Sequence, residues 1–254
     1  MIPSNYHTHT TFCHGADTPE ELVLKAIELG CPAIGFTSHS YTSFDGSYCM
    51  TREGTQNYIA QVRALQEKYR EKIKIYLGVE QDFYSEDTIA PYDYAIGSVH
   101  YVKKDGVYLS VDESKQNQQN FVAKHYGGDW YAFAEDYFTT VAHVYEQTGC
   151  QIIAHFDLLT KFNGDGELFD TNHPRYLAAA NKALDALMQT PAALEVNYGA
   201  IARGYTQKPY PERWVLERWL KAGKPVCYSS DCHDRNQLLL GYSDYEALIA
   251  EYSK

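Results

Sequence analysis

The sequence lacks the features that mark several protein classes. Its 254 residues contain no apolar run longer than a few residues. A bilayer span needs about 20, so no membrane segment is expected. The opening residues, Met1-Ile2-Pro3-Ser4-Asn5, have neither a basic patch nor an apolar core. They do not read as a signal peptide, which makes the cytoplasm the expected address. Basic charge is scarce: 22 Lys and Arg stand against 33 Asp and Glu, a net charge of −11. Binding to a phosphate backbone by counterion release needs clustered cations, and none are present, so no nucleic-acid partner is expected. The cysteines, Cys13, Cys31, Cys49, Cys150, Cys227 and Cys232, form no CxxC pair. In a chain of this size without a secretion signal they read as free thiols. The composition that remains, 44% hydrophobic and 22% charged, is that of a globular protein. The length suffices for a substantial core, and with no second composition regime residues 1–254 read as one domain.

Seven short apolar or β-branched runs end in polar residues: 5–9, 32–39, 74–80, 94–100, 151–155, 193–197 and 225–231. Runs of this length are strands buried on both faces, as in a parallel sheet. Helical patterns fill the gaps. Thr18-Pro19-Glu20-Glu21 is a capping box with proline at the first helical position, and Gly30 stops that helix. Tyr58, Val62, Leu65 and Tyr69 share one helical face, as do Phe133, Tyr137, Val141 and Val144 before Gly149. Further helices are expected near 174–189, 211–222 and 243–252, the last opening with a second capping box, Ser243-Asp244-Tyr245-Glu246. Alternation of this kind predicts an α/β fold, and seven units suggest a closed barrel. The stretch 101–129 is long, polar and helix-poor, which reads as a functional loop.

Seven of the ten histidines, His7, His9, His14, His39, His100, His155 and His233, fall at or just past the expected C-terminal ends of strands, and Glu80 and Asp231 occupy equivalent places. In parallel barrels that rim carries the chemistry. His7 and His9 project from the same strand face because side chains alternate, and Asp231 and His233 repeat the spacing. Nine N and O donors are too many for one ion; two ions are well supplied and three are possible. Imidazole with carboxylate suits zinc, iron or manganese rather than calcium. Cys13 and Cys232 neighbour these ligands and read as packing residues. His125, His143 and His173 read as structural or solvent-facing.

These residues resemble a known family. The His7-x-His9 opening, His14, Gly35-Phe36-Thr37-Ser38-His39, Gly78-Val79-Glu80, Ile96-Gly97-Ser98-Val99-His100, His155-Phe156-Asp157 and Asp231-x-His233 are similar to the polymerase-and-histidinol-phosphatase (PHP) superfamily. The run from His155 to Phe162, with Glu195-Val196-Asn197 and Ala202-Arg203, resembles its monofunctional histidinol-phosphate phosphatases. The resemblance covers about residues 5–242 and implies a distorted, TIM-like (β/α)7 barrel with three divalent ions at the strand C-termini. It implies His7, His9, Glu80 and Asp231 for the first ion; Glu80, His100 and His155 for the second; and His14, His39 and His233 for the third. The segments 40–55 and 101–129 match poorly. The implied reaction is hydrolysis of L-histidinol phosphate, in histidine biosynthesis, by a hydroxide formed from a water that bridges the ions, its pKa lowered towards ~7.

Arg203 is the candidate phosphate fork, and Lys161 a second substrate-binding cation. Asp231 or His233 would relay a proton to the leaving oxygen. Asp157 would orient a ligand imidazole or cap a local turn. Another small phosphate, phosphotyrosine or a DNA end is the alternative substrate, and the acidic balance speaks against DNA. A barrel amidohydrolase also opens with HxH but bridges its metals with a modified lysine, where this chain has Glu80. A non-catalytic metal-binding module would be missing ligands that are all present here.

Overall fold

A computed structural model describes residues 4–252. Residues 1–3 and 253–254, the two ends of the expected 1–254 domain, lie outside the described residues. In chain order the elements are α1 (Pro19–Glu28), β1 (Ala33–Phe36), α2 (Arg52–Tyr69), β2 (Lys74–Asp82), β3 (Tyr94–Ser98), β4 (Tyr101–Lys104) and β5 (Val107–Ser110). They continue with α3 (Lys115–Tyr126), α4 (Trp130–Ala142), α5 (Val144–Thr148), β6 (Ile152–Ile153), α6 (Pro174–Met188), β7 (Ala193–Asn197), α7 (Gly199–Ala202), α8 (Arg213–Lys221), β8 (Val226–Ser229) and α9 (Tyr242–Tyr252).

Six strands form one parallel sheet in the order β1-β2-β3-β6-β7-β8. The expected first strand, 5–9, is not a regular strand. It makes two isolated parallel bridges, Asn5 to Ile34 on β1 and Thr8 to Cys232 just past β8. The reason is local: the Asn5 carboxamide oxygen accepts the His7 N–H at 3.1 Å, and the Thr37 hydroxyl accepts the Thr8 N–H at 3.1 Å. Side chains thus take bonds that a ladder would use. The segment still joins the sheet's two outer strands, with Gly35 N–H donating to the Asn5 carbonyl and His9 N–H to the Cys232 carbonyl, each at 2.9 Å or less. The result is the distorted seven-membered TIM-like barrel.

Helices pack outside. The Thr18 capping box forms as expected, and Gly30 takes a positive φ of 73° just past α1. α2 buries Tyr58, Val62, Leu65 and Tyr69. The face predicted through Val144 is split between α4 and α5, because the His143 N–H closes onto Thr140 and Val141 instead of continuing the helix. α9 begins at Tyr242, so Ser243 lies inside it and the second capping box is not used. Gly241 precedes it with φ 76°, and a Cβ there would strike the Tyr198 ring.

The stretch 101–129 corrects the sequence expectation most. It holds the hairpin β4–β5, turned by Asp105 and Gly106 at positive φ, and the 12-residue α3, capped by Ser114 and ended by Gly127. Only Gln118 and Val122 of α3 are buried, so the helix has no apolar stripe to betray it. Gln118 Nε2 donates to the carbonyls of Val111 at 3.0 Å and Leu159 at 2.8 Å. That side chain ties the insertion to the segment following β6, over the barrel's C-terminal rim.

Candidate metal centre

All nine expected ligands meet at that rim. Segment 5–9 supplies His7 and His9, and His14 follows it. His39 stands past β1, Glu80 near the end of β2, His100 past β3, His155 past β6, and Asp231 and His233 past β8. Glu80 is the common neighbour. Its Oε2 lies 2.8 Å from His39 Nδ1, 3.2 Å from His7 Nε2 and 3.4 Å from His9 Nε2. Its Oε1 lies 3.0 Å from His155 Nε2 and 3.3 Å from His100 Nε2. Asp231 Oδ1 approaches His9 Nε2 at 3.0 Å. The His233 ring stacks on His9 at 4.0 Å, and His14 sits 4.3 Å from His233 and 5.0 Å from His39. Three sets of donor atoms fall within 4.8 Å of one another: His7, His9 and Glu80; His39, Glu80 and His100; His9, His39 and His233.

These contacts do not satisfy the whole cluster. His155 Nε2 is within hydrogen-bond distance of Glu80 Oε1, and His9 Nε2 lies 3.0 Å from Asp231 Oδ1, but His7 Nε2, His233 Nε2 and Glu80 Oε2 are buried without a hydrogen bond. Native interiors leave few such atoms, and their convergence on shared points fits a bound cation. The electrostatics agree. Burial works against the Glu80 carboxylate but is outweighed by His39, His7 and His100, which hold it well below the usual range. Asp231 behaves likewise through His7 and Arg203. For His39 burial wins and carries the pKa down to about 3; His233 is also pushed well down, by burial and by His9. Both rings are therefore neutral, with a lone pair to give. Burial opposes protonation of His9 too, but hydrogen bonds to Asp231 and Cys13 raise it to about 9. A divalent ion would replace such protons as the partner of these carboxylates. The cluster has the chemistry of a divalent-metal site.

A family model described as the PHP domain matches residues 5–199. The chain belongs to the PHP domain family. The histidinol-phosphatase of Bacillus subtilis is 27% identical, over 96% of this chain and 97% of its own length. A structure from Listeria monocytogenes superposes with a TM-score of 0.82 at 23% identity, over 95% of this chain and 99% of that one. The histidinol phosphate phosphatase of Lactococcus lactis, solved with zinc, L-histidinol and phosphate, superposes with a TM-score of 0.73 at 20% identity, over 98% and 93% of the two chains. Both superpositions carry the fold.

The matched PHP stretch ends before Asp231 and His233, and it is the barrel that brings these two to His9. β7 supplies none of the nine ligands, yet it supplies their frame, which the sequence reading missed. Glu195 and Asn197 point into the barrel from alternate positions. Glu195 Oε1 takes His7 Nδ1 at 2.6 Å, while Oε2 accepts from the His155 N–H at 3.0 Å and from Asn197 Nδ2 at 2.9 Å. The His7 ring is thereby fixed with Nε2 turned to Glu80. Asp82 does the same for His100, whose Nδ1 lies 3.2 Å from Asp82 Oδ2. The signal was there in Ala193-Leu194-Glu195-Val196-Asn197: a carboxylate in a strand buried on both faces must be paired. Partners of this kind set ligand orientation, and losing one costs about 10–100-fold in metal affinity. Glu195→Gln is accordingly expected to release metal to a competing chelator at 10–100-fold lower chelator concentration than wild type; an unchanged titration would refute this role.

Asp157 does not orient an imidazole. Its Oδ2 accepts the Glu212 N–H at 2.7 Å, at the start of α8, and burial, with Glu212 nearby, raises its pKa to about 7. Arg203 reaches the site, donating from Nε to the Gly199 carbonyl at 3.1 Å and from one terminal nitrogen to Asp231 Oδ2 at 3.2 Å. Lys161 faces the pocket but is engaged, 2.8 Å from the Asp112 carbonyl and 3.0 Å from its carboxylate, with its charge over the rings of Phe162 and Tyr205. Cys13 does more than pack, since its Sγ lies 3.6 Å from His9 Nδ1; Cys232 is buried with no such contact. His173 caps α6, and His125 and His143 pair with Asp105 and Glu146, away from the site. All six cysteines are free. The cavity over the ligand cluster measures about 190 Å³. Its outer wall comes from segments around Asp45–Tyr48 and Ser110–Glu113, the parts the family resemblance leaves unmatched.

Proposed function

We propose that this chain is a metal-dependent phosphomonoesterase that hydrolyses L-histidinol phosphate to L-histidinol and phosphate. The observation that carries the reading is the convergence of seven imidazoles with the Glu80 and Asp231 carboxylates beneath a cavity, in a chain similar over nearly its full length to a histidinol-phosphatase. Three zinc, manganese or iron ions would be held: one by His7, His9, Glu80 and Asp231, one by Glu80, His100 and His155, one by His14, His39 and His233. When bound, such ions supply Lewis acidity that activates water and neutralises phosphoryl charge. They also reverse the local sign in a chain of net charge −11, so that an anionic ester can enter.

The chain's own residues do the rest. Arg203, with Nε already fixed on the Gly199 carbonyl, presents its remaining N–H groups to a phosphoryl oxygen as a planar fork. Lys161, held by Asp112, lends positive charge to the same cavity as a substrate-binding group. His233 keeps its Nδ1 on the Asp231 carbonyl at 3.1 Å, which leaves Nε2 as its donor. Asp231, whose carboxylate is held ionised with Oδ2 facing Arg203, is then the group of the pair placed to pass a proton from water on to the leaving oxygen. Residues 1–254 act as one domain in this reading. Among the described residues no helix is long and apolar enough to cross a membrane, and six free thiols accord with a cytoplasmic address.

The test is phosphate release from L-histidinol phosphate by protein reconstituted with manganese, zinc or iron, beside p-nitrophenyl phosphate and phosphotyrosine, with His9→Ala as control. A kcat/KM for histidinol phosphate orders of magnitude above the others, abolished in the variant, is the expected result. Comparable slow rates on all three would keep the phosphoesterase and refute the substrate.

A further inference from the structure

Of the nine expected ligands, His14 is exposed and His233 half-buried, while the other seven are buried. The ion assigned to His14, His39 and His233 is therefore the outermost of the three. Two of its ligands stand outside regular elements: His14 between segment 5–9 and α1, and His233 past β8. The His14 ring has one hydrogen-bonding tie of its own, Nδ1 at 3.2 Å from the Tyr48 carbonyl. How the two stretches of chain are fixed to each other then decides whether this site is already formed before an ion arrives.

Residues beside the ligands make that connection. The Ala16 N–H donates to the His233 carbonyl and the Arg235 N–H to Asp17 Oδ2, each at 2.7 Å. The Arg235 side chain closes over the same contact, with Nε 3.4 Å from Asp17 Oδ1 and a terminal nitrogen 3.1 Å from Glu21 Oε1. Glu21 Oε2 accepts the Thr18 N–H at 2.9 Å in the capping box, so the junction is anchored on α1. The His14 loop is itself tight. The Thr10 carbonyl accepts the Cys13 and Gly15 N–H groups at 3.0 Å, the Asp17 carbonyl accepts the Thr11 N–H at 2.9 Å, and a Cβ on Gly15 would lie 2.6 Å from the His9 carbonyl. Such a loop moves as a unit, and Asp17 is where it is fastened to the His233 side. A buried carboxylate is kept where it is paired, and both oxygens of Asp17 are spent on Arg235 without touching a ligand.

We propose that Asp17 is a positioning residue for the outermost ion: by clasping the His14 loop to the His233 loop it sets how tightly that ion is held and leaves the two inner ions unaffected. The inference rests on the three-ion reading given above but not on which ester is the substrate.

The test uses protein reconstituted with manganese and dialysed against a graded series of chelator, with manganese per chain measured by elemental analysis and melting temperature followed on the same samples. In Asp17→Ala one ion of the three is expected to leave at about 10- to 100-fold lower chelator concentration, the range for losing a partner that orients ligands. The other two should leave where they do in wild type. His14→Ala removes a ligand of that ion outright and should lose the same one. The double variant should lose no more than His14→Ala, because changes that act on one contact are not additive. Asp17→Asn keeps an oxygen for the Arg235 N–H and gives up only a half-exposed ion pair, so it should stay within about 3-fold of wild type. Release from Asp17→Ala equal to wild type overturns the proposal. Earlier release of all ions together, with a lowered melting temperature, also overturns it, because Asp17 would then serve the whole fold. Asp17→Asn as leaky as Asp17→Ala, or a second ion lost in the double variant, does the same. A wild type that never holds more than two ions refutes the three-ion reading and the proposal with it, whereas three ions in wild type and an unchanged Asp17→Ala refute the proposal alone.

Discussion

Glu80→Gln is expected to abolish catalysis while leaving a folded protein. Five imidazoles from four separate chain segments lie within 3.4 Å of the two carboxylate oxygens. Glutamine has nearly the same size, so packing in the barrel is preserved, but it removes the charge and replaces one oxygen with an NH2 that cannot donate a lone pair to a cation. The amide hydrogens would face imidazole nitrogens that point at the same space. Losing a residue that merely orients a ligand costs about 10–100-fold. A residue that would itself serve two ions should cost on the order of 10³-fold or more in kcat/KM, comparable to the removal of a main transition-state contact. Bound metal per chain, measured by elemental analysis after dialysis, should fall together with activity. Glu80→Gln with normal metal content and more than a tenth of wild-type kcat/KM would refute the central place given to this carboxylate.

The same two facts, burial and charge, explain what was legible in the sequence. His7, His9, His39, Glu80, His100, His155, Asp231 and His233 all sit where a run of apolar residues stops, and in a parallel barrel that position has one meaning. Their role could be argued before any coordinates. The strands between them were equally clear, because residues buried on both faces leave unbroken apolar runs such as Ile152-Ile153-Ala154. What could not be read are features decided by partners distant in sequence. Segment 5–9 has strand composition, yet Asn5 and Thr37 side chains take its backbone bonds. α3 has too few buried positions for its period to show, and it is held by one glutamine reaching two carbonyls. Lys161 reads as a substrate-binding cation, and the sequence gives no sign that Asp112, 49 positions away, holds it. Tyr48 and Asp45 carry no motif at all; only the closing of the barrel puts them over the ligands.

Gly199→Ala is the second substitution with a large expected effect, and it acts without altering any functional group. Gly199 opens α7 and does not have a positive φ, so alanine meets no backbone strain there. The obstacle is Asp231. A Cβ on residue 199 would lie 2.5 Å from Asp231 Oδ2, 2.8 Å from its Cγ and 2.9 Å from its Cβ. Turning the carboxylate alone cannot relieve the last contact, so the Asp231 backbone must shift. It has little room to do so: Asp231 holds a φ of 46°, uncommon for a non-glycine residue, with its N–H on the Ser229 hydroxyl at 3.1 Å. Movement away from Gly199 disturbs the 3.0 Å approach to His9 Nε2 and the 3.2 Å bond to Arg203. Displacing a catalytic group by about 1 Å costs roughly 10²-fold, and here a proposed ligand and the partner of the phosphate fork move together. The expected result is a kcat/KM at least ~10²-fold below wild type, with a melting temperature lowered by only a few degrees. Serine at 199 should be as damaging as alanine, since the clash begins at Cβ. Activity of Gly199→Ala within about 3-fold of wild type would show that Asp231 tolerates displacement and therefore is not the positioned ligand and proton relay that the proposed reaction requires.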